Sequence, residues 1–358
     1  MTRDYSKFLP SAPQGTAPPP SVLDQIGWQP FFAQQISVDT FDATPPVRVI
    51  EVRRNALYVR GNDIEQTIPP RADATVGDWL LLDRDQPAAS TVLERKSIIK
   101  RRAPGTDRQV QLIAANIDTA FIVSSCNQDF NIARLERYIA LALDADITPV
   151  IVLTKSDLVD DPKPYVDQAQ AISDLVTVIT LNARSDAPRT QLAPWCKRGK
   201  TVAFLGSSGV GKSTLTNALS GTDDIETQAV RESDARGRHT TTRRQLHVLP
   251  AGFLVLDTPG MRELQLTDAA AGIGDLFADL QDLTTQCKFN DCQHSVEPGC
   301  AILAALEQGQ IDQTRLDRWR KLMAEEAFNS SSIAQRKTKD RALGKLVRNA
   351  VAHKKKRH

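Results

Sequence analysis

The chain has 358 residues, an ordinary globular composition with 41% hydrophobic and 5% aromatic residues, and a formal net charge of only +2. This length predicts two or three domains. It has no run of about 18 apolar residues and no apolar core near the N-terminus, which argues against a transmembrane helix and a signal peptide and predicts a cytosolic protein. Five cysteines in such a protein are not expected to form a disulfide framework.

The first part of the chain divides into a polar segment and a strand-rich segment. Residues 1–35 are rich in Pro, Ala, Ser and Gln, and we expect a disordered tail. Residues 36–104 contain five short apolar runs separated by turn signals, at 47–52, 56–59, 64–68, 78–82 and 91–94. They predict a small β-barrel, for which the OB-fold is one candidate.

Basic residues are scattered over this predicted barrel. They favour an RNA-binding module, but they would equally suit the polar face of any soluble barrel, and both interpretations stay open. The residues are Arg48, Arg53, Arg54, Arg60, Arg71, Arg84, Arg95 and Lys96.

Strands and helices alternate over residues 105–265, which predicts an α/β domain. Apolar runs at 119–123, 149–153 and 176–181 predict buried strands, and helical spacing of apolar residues predicts a helix over 132–143. The motif G-x-x-x-x-G-K-S follows an apolar strand at 202–205 and precedes a helix-compatible run at 214–219. In that context the motif indicates a phosphate-binding P-loop.

The P-loop has the residue types that a nucleoside triphosphate requires. Its glycines let successive backbone N–H groups point at phosphate oxygens, and the N-terminus of the next helix adds partial positive charge. Lys212 is expected to reach the β- and γ-phosphates and assist catalysis, and Ser213 to bind Mg²⁺. The predicted binding residues are Gly206, Ser207, Ser208, Gly209, Val210, Gly211, Lys212, Ser213 and Thr214.

Two later segments predict further phosphate and magnesium contacts. Asp-Thr-Pro-Gly ends an apolar strand at 257–260, where Asp257 would hold Mg²⁺ through its hydration shell and the Gly260 N–H would sense the γ-phosphate. The threonine run 240–242 can supply a hydroxyl or a carbonyl to the metal, and Thr241 is taken as the candidate ligand.

A segment upstream of the P-loop predicts that the base is guanine. The Asp157 carboxylate can accept hydrogen bonds from guanine N1–H and the 2-amino group, donors that adenine lacks. The stem of Lys155 can cover the base, and the backbone of Asn182 and Ala183 can cap its O6 side. The whole motif is Thr154, Lys155, Ser156 and Asp157. Because it precedes the P-loop, whereas it follows the P-loop in Ras-like GTPases, the sequence predicts a circularly permuted GTPase domain.

The residue after Asp-Thr-Pro-Gly is Met261, where Ras-like enzymes place a glutamine that orients water. A thioether cannot do this, so slow intrinsic hydrolysis or another catalytic group is expected. His239 is the nearest candidate by residue type, and the alternative is an exposed loop histidine.

Residues 266–330 carry four potential metal ligands spaced C-x4-C-x-H-x5-C, namely Cys287, Cys292, His294 and Cys300. Three thiolates and an imidazole predict one closed, structural Zn²⁺ site, which makes Asp291 and Glu297 weaker candidates. Helices are expected after the cluster. The basic tail, 331–358, has ten Lys or Arg residues against one acid after residue 335 and suits contact with phosphate backbones.

This set of motifs resembles the ribosome small-subunit-dependent GTPase A family (RsgA, also called YjeQ) over about residues 36–330: an OB-like barrel, a permuted GTPase with TKSD, GSSGVGKST, GRHTT and DTPG, and the zinc module. The resemblance implies GTP hydrolysis activated by the small ribosomal subunit and a role in late subunit maturation. It also implies zinc at the four cysteine and histidine ligands and a catalytic part for His239. Thr154 departs from the Asn that many GTPases carry.

We therefore predict a monomeric cytosolic GTPase that binds the small ribosomal subunit and its rRNA, with GTP, Mg²⁺ and one Zn²⁺. A rival hypothesis is a GTP-dependent rRNA-binding switch whose hydrolysis is incidental. A third, an ATP-using P-loop kinase, is disfavoured by the guanine motif at 154–157.

Overall fold

Three short helices, α1 Val22–Gln25, α2 Pro30–Ala33 and α3 Val38–Ala43, begin the described part of this computed structural model, which comprises residues 21–102, 110–221, 244–257 and 269–330. A capping box starts α1. Ser21 Oγ accepts the Asp24 N–H at 3.1 Å, and the Asp24 carboxylate accepts the Ser21 N–H at 3.0 Å.

The prediction of a disordered tail over residues 1–35 was wrong for residues 21–35. Leu23, Ile26 and Phe32 are buried, and the ring centroid of Trp28 lies 4.7 Å from that of Trp79 in an edge-on contact. Burial of these apolar side chains stabilises residues 21–35, whose own apolar content is hidden in the average over residues 1–35. Residues 1–20 lie outside the described part of the chain.

Five antiparallel strands occupy the positions of the five strands predicted near the N-terminus. They are β1 Pro46–Arg53, β2 Ala56–Gly61, β3 Ile64–Ile68, β4 Trp79–Leu81 and β5 Thr91–Val92. β1 pairs with β2 along its length and with β4 at its first residues, β2 pairs with β3, and β4 pairs with β5. A small apolar core lies between these strands. A closed OB-like barrel remains a prediction.

A separate antiparallel pair, β6 Ile98–Arg102 and β7 Val110–Ala115, joins residues from the two sides of the boundary predicted between residues 104 and 105. The α/β sheet follows, with strands β8 Thr119–Ser125, β9 Thr148–Thr154, β10 Thr177–Thr180, β11 Thr201–Leu205, β12 Arg244–Val248 and β13 Leu254–Asp257.

The spatial order in this sheet is β10-β9-β8-β11-β13-β12, and β12 alone of the six runs antiparallel to its neighbour. The α/β part of the fold prediction is thereby confirmed. Because the other strands are parallel, their carboxyl ends meet at one edge of the sheet, the usual place for a ligand in such folds. Both the guanine motif, after β9, and the P-loop, after β11, begin at that edge.

β1 also pairs with β12, with Glu51 opposite Gln245, so one sheet continues from the α/β part into the N-terminal strands. The buried Arg48 guanidinium strengthens this junction by donating to Thr201 Oγ1 at 2.9 Å and to the Ile26 carbonyl at 2.5 Å. Burial lowers the pKa of Arg48 to about 10, although nearby Asp118 and Asp78 oppose the shift.

Within the described residues, eight further helices cover the α/β sheet and form the C-terminal part. They are α4 Ile132–Asp144, α5 Lys163–Gln170, α6 Ala187–Gln191, α7 Lys212–Ser220, α8 Ala270–Leu276, α9 Ala278–Thr284, α10 Ala301–Glu307 and α11 Gln313–Ser330. α8 packs closely on α4 at Gly272, where an added Cβ would lie 2.1 Å from the Ala140 carbonyl oxygen. Among the described residues, no helix combines the length and apolarity needed to cross a membrane.

Candidate nucleotide site and cysteine–histidine cluster

The P-loop occupies the turn between β11 and α7. Gly206 has a φ of 142°, and a Cβ there would lie 2.3 Å from the Val123 carbonyl oxygen, so a side chain does not fit. Gly211, with a φ of 100°, precedes the first residue of α7. The backbone therefore turns directly into a helix N-terminus, which is a favourable position for phosphate.

Lys212 lies over the P-loop. Its Nζ donates to the Gly206 carbonyl at 2.8 Å and also to the Ser207 carbonyl. A P-loop lysine reaches the β- and γ-phosphates, so phosphate oxygens could replace these carbonyls. Ser213 and Thr214 follow in the first turn of α7 and are half-buried. Ser213 therefore follows Lys212 directly at the start of α7, where a P-loop is expected to supply its magnesium ligand.

The guanine motif is attached to the P-loop through Thr154. Its buried hydroxyl donates to the Val210 carbonyl at 2.6 Å and lies 3.2 Å from the Ser124 carbonyl. Lys155 then adopts a left-handed conformation with φ 58°, and a 3₁₀ turn spans Ser156–Leu158. This sharp turn leaves the Asp157 side chain exposed at the sheet edge, available to a base.

Asn182 and Ala183 lie beside this motif because β10 pairs with β9. The Leu181 N–H donates to the Leu153 carbonyl at 2.9 Å, which continues the pairing one residue beyond β10. Asn182 Oδ1 accepts the Arg184 N–H at 2.8 Å, which shapes the loop, and Ala183 is buried. The structure thus brings residues 154–157, 182–183 and 206–214 together at one edge.

The remaining predicted site residues are only partly described. Asp257 ends β13, next to the P-loop strand β11, but its side chain lies outside the described part. His239, Thr241, Gly260 and Met261 also lie outside the described residues, as does the basic tail 331–358, so their roles stay predictions.

One residue beside the P-loop was missed by the sequence reasoning. Arg134, in the first turn of α4, donates from Nη1 to Ser207 Oγ at 2.6 Å. The motif patterns gave no signal for it because α4 follows β8, far from the P-loop in the chain. Only the sheet order, in which β8 lies next to β11, brings it there.

The four predicted zinc ligands converge in the C-terminal part. The ligand atoms of Cys287, Cys292, His294 and Cys300 all lie within 4.8 Å of one another. The Cys287 and Cys300 sulfurs are 3.9 Å apart, and each is 3.5 Å from His294 Nδ1. A tetrahedral zinc with Zn–S of about 2.3 Å and Zn–N of about 2.0–2.1 Å would separate its ligand atoms by about 3.6–3.8 Å. The cluster therefore fits zinc.

Glu297 stabilises the loop that carries this cluster and is not one of its metal ligands. Its carboxylate accepts the N–H groups of Gln293 at 2.9 Å, Ser295 at 2.8 Å and Val296 at 3.0 Å. These backbone hydrogen bonds, led by that of Ser295, lower the pKa of Glu297 to about 2. The carboxylate thereby holds the backbone on both sides of His294.

Comparison with known proteins identifies the family. A family model described as RsgA GTPase matches residues 92–267. The chain is 46% identical over 341 residues to the small ribosomal subunit biogenesis GTPase RsgA 2 of Vibrio parahaemolyticus, covering 94% of each chain. It is 47% identical over 330 residues to the RsgA of Mesorhizobium japonicum, covering 90% of this chain and 94% of the relative. The chain belongs to the RsgA GTPase family.

Solved structures agree with membership of the RsgA family. The crystal structure of YjeQ from Thermotoga maritima is similar with a TM-score of 0.56 and 25% identity, over 78% of this chain and 97% of that one. YloQ, described as a circularly permuted GTPase, is similar with a TM-score of 0.51 and 25% identity, over 81% and 97%. A model described as ABC transporter also matches residues 191–353, a segment that contains the P-loop, the motif shared by many nucleotide hydrolases.

Proposed function

We propose that this RsgA-family protein binds the small ribosomal subunit and hydrolyses GTP on it during late subunit maturation. The bond from Thr154 to the Val210 carbonyl carries the guanine part of the proposal, because it joins the guanine motif and the P-loop into one site. The names of the relatives, which are small ribosomal subunit biogenesis GTPases, support the subunit as partner. We expect a monomer in the cytoplasm.

In this proposal, each group of residues at the carboxyl edge of the sheet has a separate role in binding or hydrolysing GTP. Asp157 accepts the guanine N–H groups, the 206–211 backbone and the N-terminus of α7 bind phosphate oxygens, and Lys212 exchanges its loop carbonyls for the β- and γ-phosphates. Mg²⁺, held by Ser213 and by Thr241 and Asp257, would neutralise charge on the phosphates. Catalysis then consists of positioning and charge stabilisation around an attacking water.

His239 is the proposed group that orients or deprotonates that water, since Met261 cannot accept or donate a useful hydrogen bond. We propose that His239 acts only when the small subunit is bound. GTP would then be hydrolysed only after the protein has bound the subunit. The rival, a GTP-dependent switch with incidental hydrolysis, requires no such stimulation.

Only some of the basic residues of the N-terminal strands are proposed to contact rRNA. Arg48 is buried, Arg71 pairs with Asp73 at 2.6 Å, and Arg95 pairs with Asp78 at 2.7 Å. These three serve the fold. Arg53 and Lys96 are also paired, with Glu51 at 2.8 Å and with Asp118 at 2.9 Å. This leaves Arg54, Arg60 and Arg84 as the proposed phosphate contacts.

We further propose one structural Zn²⁺ at Cys287, Cys292, His294 and Cys300, supported by the separations of their ligand atoms. Closing the loop at 287–300 would fix the helices on either side of it, because Cys300 immediately precedes α10 and Cys287 follows α9.

The deciding experiment compares GTP turnover of the purified protein alone, with small ribosomal subunits and with large ones. We expect strong stimulation by small subunits only. Equal turnover in all three samples would refute the activated-enzyme proposal, and GTP-dependent binding to small subunits without stimulation would instead support the switch.

A further inference from the structure

The helix α4 carries an arginine to the P-loop. Its N-terminus is capped by Asn131, whose Oδ1 accepts the Arg134 N–H at 2.9 Å, which fixes the backbone of Arg134. From there the side chain crosses to the P-loop, where Nη1 lies 2.6 Å from Ser207 Oγ. The side chain is exposed to solvent beside the P-loop.

Ser207 accepts hydrogen bonds from two cationic side chains, and the second of these indicates which part of the nucleotide Arg134 is near. Its hydroxyl accepts from Arg134, while its carbonyl accepts from Lys212 Nζ. A P-loop lysine serves the β- and γ-phosphates, so both cations stand at the part of the site expected to hold these two phosphates. The guanine motif at residues 154–157 lies toward the other end.

A neutral serine hydroxyl is a weak partner for a guanidinium compared with a phosphate. A phosphate adds a full negative charge opposite the guanidinium, which the hydroxyl lacks, and the planar guanidinium fits two phosphate oxygens at once. A γ-phosphate therefore competes well with Ser207 Oγ for Arg134. The exposed side chain can make this exchange without moving the helix.

The rest of α4 is held firmly. Glu136 is two residues further along, about 200° around the helix, on the face opposite Arg134. It is buried and accepts from Arg318 Nε of α11 at 2.8 Å. Arg137 also pairs with Glu325 of α11. This fixed rotation of α4 keeps Arg134 directed at the P-loop.

Resting on the proposed GTPase function, we propose that Arg134 is an arginine supplied in cis that contacts the γ-phosphate and stabilises the charge developing during hydrolysis. Water attacks the γ-phosphorus, the bond from that phosphorus to the β–γ bridging oxygen breaks, and the electron pair stays on GDP. The proton of the water leaves through the general base or to solvent. Arg134 stays protonated throughout and binds the γ-phosphate oxygens as their charge is redistributed.

The test compares Arg134→Gln and Arg134→Lys with the wild-type protein for binding of GDP, of a non-hydrolysable GTP analogue and of GDP with aluminium fluoride, and for single-turnover hydrolysis. Arginines of this kind contribute about 10³-fold or more to phosphoryl transfer. We expect Arg134→Gln to lower hydrolysis by at least about 100-fold and to abolish the gain in GDP affinity with aluminium fluoride. GDP affinity should change less than about twofold, and lysine should rescue only part of the rate.

Arg198→Gln, an exposed arginine outside the P-loop edge, serves as the matched control and should leave all values unchanged. If Arg134 only holds Ser207 in place, its loss weakens GDP and the GTP analogue equally, because the P-loop binds the β-phosphate of both, and that result overturns the proposal. The nucleotide-binding measurements test the role of Arg134 even if small subunits do not stimulate turnover of the wild-type protein. Absence of that stimulation would refute only the proposed function.

Discussion

Thr154 Oγ1 lies 2.6 Å from the Val210 carbonyl oxygen, so the first residue of the guanine motif holds the P-loop directly. Thr154→Val keeps the shape of the side chain but leaves a buried carbonyl without this donor, which costs about 1–3 kcal/mol. We expect GTP and GDP affinity each to fall about tenfold, because the effect is on the loop that binds the phosphates of both.

Calorimetric titration of both nucleotides checks this prediction. Thr177→Val, at an exposed position of β10, is the matched control and should leave both affinities unchanged. A normal GTP affinity in Thr154→Val would show that the P-loop holds its conformation without the hydroxyl.

The sequence predicted those parts of the structure that depend on local pattern. The P-loop could be placed because its glycines and flanking apolar strand lie together in the chain, and the ligands Cys287 to Cys300 because their types and spacing suit zinc. Composition misled over residues 21–35, since a few buried side chains such as Phe32 decide order there.

Contacts between segments that are distant in the chain could not be predicted from local sequence patterns. Arg134 reaches Ser207 only because β8 and β11 are neighbours in the sheet, and Glu136 meets Arg318 only because α11 packs on α4. Likewise, Arg48 looked like a surface cation, but its four hydrogen-bond acceptors come from segments far apart in sequence.

The guanine preference should depend on Asp157, which is exposed at the end of the site. Asp157→Asn replaces an acceptor by an amide that suits xanthine, whose 2-oxo group accepts a hydrogen bond. Because a hydrogen bond to a charged group contributes about 1.5–3 kcal/mol, GTP affinity should fall by about 10- to 100-fold while xanthosine triphosphate affinity rises. Competition binding measures both, with Asp160→Asn as the exposed control. Unaltered GTP affinity would contradict the guanine role of Asp157.

Zinc content should depend on the cluster and not on cysteines in general. Cys292→Ser should lose the metal, because removal of one of four ligands opens a closed tetrahedral site. Cys196, whose thiol pKa burial raises to about 12, lies outside the cluster, so Cys196→Ser should keep one zinc per chain. Elemental analysis of the purified variants measures the zinc bound per chain. One zinc per chain in Cys292→Ser would disprove the proposed ligand set.

The buried pair Glu136 and Arg318 should stabilise the packing of α11 on α4. Glu136 is fully buried, and its second oxygen, Oε2, has no hydrogen-bond partner within the described residues. Arg318→Met would leave this carboxylate uncompensated and lower the free energy of unfolding by about 3 kcal/mol, whereas the double change with Glu136→Leu should restore most of the loss. Chemical denaturation measures these values, with Lys321→Met, exposed on α11, as the control.

The same pair predicts a dependence on pH. Burial raises the pKa of Glu136 above its ordinary value, although Arg318 opposes the shift. An acid whose pKa is higher in the folded state stabilises the protein fully below its unfolded pKa, and this contribution is lost as the pH rises through the folded pKa. Glu136→Gln cannot titrate, so the stability of the wild-type protein relative to this variant should decrease as the pH rises above the usual glutamate range. A difference that is constant with pH, or that increases, would show that Arg318 compensates the buried charge completely.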